Sequence, residues 1–254
     1  MNAIFSKDCL AGGLYLVTGA SSGIGQSTAQ LITQCGGRVI ISGRNENRLN
    51  KTLSLLEGTG HSISIVDLVD ADQTSDWVKG IVTEHGVFSG IFHSAGIELL
   101  RPIRMTKQAQ LKDVFGSSLF AAFGIARAAS QKNTVIDGGS LVFMSSVAGL
   151  TGQQGMTAYS VAKAGIDALV RSLACEMASR KIRVNSIISG AVETAMHDRL
   201  MQSSINENAM CEYENRHLLG FGEVNDISNA ALFLLSAASN WVTGTSLVVD
   251  GGYM

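Results

Sequence analysis

Seven short apolar runs with helical stretches between them constrain this fold more than any other feature of the chain. The runs are 14–18 (LYLVT), 38–42 (RVIIS), 62–66 (SISIV), 90–94 (GIFHS), 140–145 (SLVFMS), 183–188 (RVNSII) and 245–249 (TSLVV). They are apolar at nearly every position, as strands covered on both faces must be. Between them, segments such as 24–35 (IGQSTAQLITQC) and 158–179 place apolar residues at helical spacing, with Ile24, Ala29, Leu31 and Ile32 on one side of the first. Strand and helix repeated this often predict parallel strands joined by right-handed crossovers, a doubly wound α/β sheet. No linker or charge block interrupts the 254 residues, and Pro102 is the only proline, so residues 1–254 read as a single domain.

The first predicted strand runs into TGASSGIG, residues 18–25. Gly19, Gly23 and Gly25 end a strand and open a helix, where backbone N–H groups and the helix dipole face a ligand. A glycine-rich loop alone is a common tight turn. Its place in the first strand-to-helix connection favours a diphosphate cradle. Gly19 and Gly23 let the main chain approach the phosphates, and Gly25 permits close packing of helix on sheet. The second predicted strand ends in ISGRN, where Gly43 takes the place at which a carboxylate would select a free ribose, and Arg44 follows. A guanidinium there can grip a 2′-phosphate, which favours NADP(H) over NAD(H). The alternative for Arg44 is a solvated surface arginine, with Arg48 one turn on.

Tyr159 and Lys163 are four apart on a predicted helix and share its face. The serine pair Ser145-Ser146 ends the fifth predicted strand, the end at which open sheets of this kind hold ligands. Together with the opening TGxxxGxG and the late Thr243-Gly244 and Asp250-Gly251-Gly252, this set resembles the short-chain dehydrogenase/reductase family over essentially the whole chain. The resemblance implies a Rossmann domain with a seven-stranded parallel sheet in the order 3-2-1-4-5-6-7. It implies a homotetramer or homodimer, and hydride transfer between a nicotinamide and a carbonyl or secondary alcohol substrate. Tyr159 would be the general acid/base. Lys163 would lower its pKa and bind the nicotinamide ribose, and Ser146 would hydrogen-bond the carbonyl oxygen. Ser145 reads as a structural hydroxyl.

The resemblance also places the dinucleotide against Gly19, Ser21, Ser22, Gly23, Ile24 and Gly25, and against Arg44. Asp67 and Leu68 would face the adenine, Ala95 and Gly96 its ribose, and Gly190, Val192 and Thr194 the nicotinamide end. Asp67 has a competing role as a helix N-terminal acid, and Asn185 reads as structural. Three departures stand out. The turn after the fourth strand reads His93-Ser94-Ala95-Gly96 where the family has NNAG, and His93 fits a neutral imidazole that satisfies a backbone group. Ser189-Gly190 replaces the family's PG. Ser118, or Ser117 if the alignment slips by one, stands where many members place an asparagine that holds a water in the proton relay.

Composition removes several other functions. The net charge of −2 without a basic cluster argues against nucleic acid. No apolar run reaches membrane-spanning length, and the start has no apolar core of a signal peptide. Four scattered cysteines and five scattered histidines fit reduced thiols in a cytoplasmic protein and no metal site. Segment 194–221 reads as a substrate lid, with Met196, Leu200, Met201 and Ile205 on its underside. One familiar role, 3-oxoacyl-ACP reductase, needs a basic dock for an acidic carrier, and 131–138 offers only Lys132 beside Asp137. A non-catalytic NADP-binding sensor or scaffold subunit is the reading from outside enzymology.

Overall fold

A computed structural model describes residues 4–198 and 213–254. Seven parallel strands form one sheet in the order β3-β2-β1-β4-β5-β6-β7. They are β1 (Leu14–Thr18), β2 (Arg38–Gly43), β3 (Ser62–Ile65), β4 (Phe88–His93), β5 (Val135–Ser146), β6 (Arg183–Ser189) and β7 (Ser246–Val249). The chain winds outward from β1 to β3, then crosses back to lay β4 on the other side of β1. That reversal opens a crevice between the ends of β1 and β4.

Alternation along each strand feeds two cores. Leu14 and Leu16 of β1, with Leu141 and Phe143 of β5, face one core. Tyr15 and Val17, with Val142 and Met144, face the other. The first is covered by α3 (Ala71–His85), α5 (Ala121–Ser130) and α6 (Thr157–Met177), and the second by α1 (Gly23–Gln34) and α7 (Val224–Leu235). α2 (Glu46–Leu53) and α4 (Gln108–Phe115) complete the helices that bear on the site. The small residues of α5 have a steric cause: a Cβ on Gly124 would lie 2.5 Å from the Ala71 carbonyl oxygen and from Thr74 Cβ. No helix among the described residues is long and apolar enough to cross a membrane.

Two strands begin earlier than the sequence indicates. β4 begins at Phe88, and β5 at Val135, because the glycine-bearing start of β5 pairs with β4 through a register shift between Phe88 and Gly90. Between α4 and α5 the helix widens into a π-helical turn over Gly116–Phe120. The turn contains Ser118. Turns of this kind frequently mark functional sites.

Candidate active site

The crevice is a cleft of about 750 Å³ along the carboxyl ends of the strands. Its walls include Gly19, Ser21, Ser22, Gly23 and Ile24 from the first loop, Arg44, Asp67 and Leu68 at one end, and Ala95 and Gly96 in the middle. Ser146, Tyr159, Lys163, Gly190, Val192 and Thr194 complete the opposite end. Sixteen of the expected residues therefore meet at one site. Gly25 and Ser118 do not line it.

Gly25 has a packing role. A Cβ there would stand 2.4 Å from the Gly19 carbonyl oxygen, so only glycine lets α1 start this close beneath the turn. Gly19 and Gly23 have φ of +67° and +56°, the left-handed region where a side chain is strained. A Cβ on Gly19 would also meet the Ala95 amide nitrogen at 2.8 Å, which fixes the first loop against the turn after β4. The N-cap Ser22 makes no side-chain cap bond, and the first turn of α1 has no acidic residue. The helix thus presents its leading N–H groups and positive dipole end to the cleft, as a diphosphate requires.

At the end of the cleft beside β2 and β3, Arg44 Nε lies 3.8 Å from Asp67 Oδ1, with both side chains largely exposed. Such a pair holds its partners weakly, and either can turn to another ligand. Asp67 is not the helix-capping acid. Asp70 caps α3 through the Gln73 amide at 2.9 Å. Arg48, read as surface, also lines the cleft and adds a second guanidinium beside Arg44.

At the opposite end, Ser146 stands close enough to the Tyr159 phenol to favour its ionised form, while the Ser146 Oγ accepts from the Ala148 amide at 3.2 Å. Lys163 is buried. Its Nζ donates to the Met144 carbonyl at 2.9 Å and lies 5.5 Å from the Tyr159 ring centre. Burial pulls the Lys163 pKa down to about 8, against the opposing charges of Asp167 and Glu98. The Tyr159 phenol is raised above its ordinary value by burial and by the Glu98 carboxylate, with Ser146 pulling the other way. This differs from the expectation that Lys163 makes Tyr159 more acidic. Desolvation moves both groups toward their neutral forms.

Ser145 is structural, donating at 2.8 Å to Asp167, which also accepts from Ser186 at 2.7 Å and Ser246 at 3.1 Å. Asn185 bridges Val242 O and the Thr245 amide. His93 is buried, with Nε2 3.1 Å from the Ser118 carbonyl and Nδ1 2.8 Å from Thr18 Oγ1. A carbonyl only accepts, so Nε2 carries the proton and the Thr18 hydroxyl donates to Nδ1. Burial holds this imidazole's pKa down at about 4, so it is neutral at physiological pH.

Ser118 sits behind Gly96. Its Oγ is buried without a hydrogen-bond partner, and a Cβ on Gly96 would meet that Oγ at 2.9 Å and Lys163 Nζ at 3.6 Å. Ser117 lines the cleft, but its hydroxyl is spent on the Asp113 carbonyl at 2.8 Å. Glu98 and Tyr213 were not anticipated from sequence. They join the catalytic end only through long-range folding, which no local spacing reveals. Of the expected lid, 194–198 and 213–221 are described, with Met196 on the cleft wall. Leu200, Met201 and Ile205 lie outside the described residues.

Comparison with known proteins agrees with this geometry. Residues 19–254 match the family described as enoyl-(acyl carrier protein) reductase. A solved structure described as a short-chain type dehydrogenase/reductase from Mycobacterium ulcerans superposes with a TM-score of 0.86 at 31% identity, over 98% of this chain and 91% of that one. The chain belongs to the short-chain dehydrogenase/reductase family. Another member, the 3-oxoacyl-[acyl-carrier-protein] reductase FabG of Thermotoga maritima, is 31% identical over 246 residues, 96% of this chain and 98% of the relative. A blue fluorescent protein from a metagenomic library, solved in complex with NADPH, has a TM-score of 0.86 at 25% identity, over 96% and 98% of the two chains. Short-chain dehydrogenases/reductases are oxidoreductases, and a nicotinamide dinucleotide fits the cradle described above.

Proposed function

We propose that this protein is an NADP(H)-dependent reductase of small or medium ketones, a single-domain enzyme with segment 194–221 as its lid. The observation that carries the reading is the convergence of Ser146, Tyr159 and Lys163 on the same cleft as the glycine cradle. When bound, the dinucleotide supplies the hydride. The protein's residues supply position and the proton. Gly19, Ser21, Ser22, Gly23 and Ile24 hold the diphosphate, Arg44 and Arg48 the 2′-phosphate, and Asp67, Leu68, Ala95 and Gly96 the adenosine. Gly190, Val192 and Thr194 face the nicotinamide end, and Lys163 the adjoining ribose.

Ser146 donates a hydrogen bond to the substrate carbonyl oxygen and stabilises the negative charge that develops there. Tyr159 gives that oxygen its proton as the carbon is reduced, which leaves a secondary alcohol and a phenolate. The raised phenol keeps Tyr159 protonated at neutral pH, the form that carbonyl reduction uses. Lys163 reprotonates it. The unpartnered Ser118 hydroxyl behind Gly96 is placed to hold the water that feeds Lys163. For a protein-borne 3-oxoacyl group, the surface at 131–138 presents Lys132, while Asp137 and Arg180 pair with each other at 2.8 Å. That favours a free small molecule.

Titration of the protein with NADPH and NADH tests the cofactor assignment. NADPH is expected to bind about 10- to 100-fold more tightly, from one or two charge-assisted contacts to the 2′-phosphate. Arg44→Ala should remove most of that difference and leave NADH binding unchanged. Equal binding of the two dinucleotides by the unaltered protein would refute the assignment.

A further inference from the structure

The loop after β6 is held by a histidine that the proposed chemistry does not use. His217 is buried, and its two ring nitrogens contact two backbone groups. Nε2 lies 3.0 Å from the Ala191 nitrogen and Nδ1 2.9 Å from the Tyr213 carbonyl. An amide N–H only donates and a carbonyl only accepts, so the ring is neutral with its proton on Nδ1. The same segment satisfies the other half of Ala191, whose carbonyl accepts from the Gly222 amide at 3.0 Å. Ala191 stands between Gly190 and Val192 on the cleft wall. The fit is close, since a Cβ on Gly190 would meet His217 Nε2 at 3.1 Å.

The surroundings keep the ring in place. Its centre is 5.1 Å from that of Tyr213, 5.3 Å from Phe221 and 4.6 Å from Tyr253 on the C-terminal tail. The titratable and charged groups around it come from every neighbouring element. Tyr213 and Arg216 lie on its own segment, with Arg216 over the Tyr253 ring at 4.0 Å. Asp250 stands on the tail beside Gly190. His197, flanked by Glu193 and Asp198, packs on the same Phe221 from the loop after β6, and Asp226 of α7 lies across Gly222.

We propose that His217 is a positioning residue: its imidazole accepts from the Ala191 amide and so holds the loop Ser189–Val192 against the cleft. A loop without this bond no longer presents its backbone to the nicotinamide end. The catalytic part of the inference rests on the proposed reductase reading. The positioning part does not.

The test pairs amide exchange with kinetics. In the unliganded protein, His217→Phe keeps the ring packing and removes the acceptor, so exchange of the Ala191 amide should quicken about tenfold. KM for NADPH should rise by a similar factor, with kcat less affected. His217→Gln restores an acceptor near the same place and should recover both the slow Ala191 exchange and the KM for NADPH. Unchanged Ala191 exchange in His217→Phe would overturn the proposal. So would a His217→Gln protein whose KM for NADPH stays as high as that of His217→Phe. If the unaltered protein binds no dinucleotide, the reductase reading fails, while the exchange measurement still decides whether His217 holds the loop.

Discussion

Replacing Lys163 with methionine is expected to stabilise the protein while ending its chemistry. The amine is buried, and its pKa falls from 10.5 to about 8 on folding. A depression of that size corresponds to about 3 kcal/mol of penalty for holding the charged form in the fold. Below about pH 8 the folded protein bears the whole penalty. Between pH 8 and 10.5 the native amine is already neutral while the unfolded one is still charged, so stability climbs with pH across that window. Methionine removes the penalty and loses the bond to the Met144 carbonyl, which is worth about 1 kcal/mol. The net gain at pH 7 is about 2 kcal/mol, a rise in Tm of about 6 °C for a chain of this length. Urea denaturation of both proteins at pH 7 and at pH 10 measures it. The advantage of the variant should narrow at the higher pH. A variant less stable than the original at pH 7, or a difference that ignores pH, would refute the burial argument.

Two further outcomes follow from the buried groups beside it. His93, whose pKa falls from 6.5 to about 4 on folding, should cost the protein about 3 kcal/mol as pH drops through that window, because the unfolded ring takes up the proton first. His93→Asn should flatten this loss in urea titrations at pH 7 and pH 4, and an unchanged acid loss would contradict it. Ser118→Ala removes a hydroxyl that bonds to nothing, so Tm should hold or rise slightly while kcat falls several-fold from the poorer proton supply. Unaltered kcat would take Ser118 out of the relay.

The sheet was legible because its inner strands are covered on both faces, so runs such as LYLVT and RVIIS are apolar at nearly every position. β5 was only half legible. Its opening residues, Val135 to Gly139, include two glycines and an aspartate, and they become strand through pairing with β4. The cleft residues on the first loop, and Ser146, Tyr159 and Lys163, stood out by spacing. Arg48 was visible only as a surface residue one turn past Arg44, and Glu98, Tyr213 and His217 did not stand out, because the groups they meet lie far along the chain. The π-helical turn at Gly116–Phe120 has no signature in its residues, GSSLF, yet it sets Ser118 behind the cleft wall. The raised pKa of Tyr159 was not legible for a related reason: the YxxxK spacing is visible in sequence, whereas the burial and the Glu98 carboxylate that raise the phenol are not.

If Tyr159 protonates a carbonyl substrate reduced at this cleft, turnover requires its phenol. The most direct test is NADPH oxidation by the purified protein over a panel of ketones, 3-oxoacyl thioesters and keto-sugars, with Tyr159→Phe alongside. Turnover is expected on at least one ketone, with its loss in Tyr159→Phe while NADPH binding stays intact. A Tyr159→Phe protein that turns over as fast as the original, or tight NADPH binding with no turnover anywhere on the panel, would contradict it.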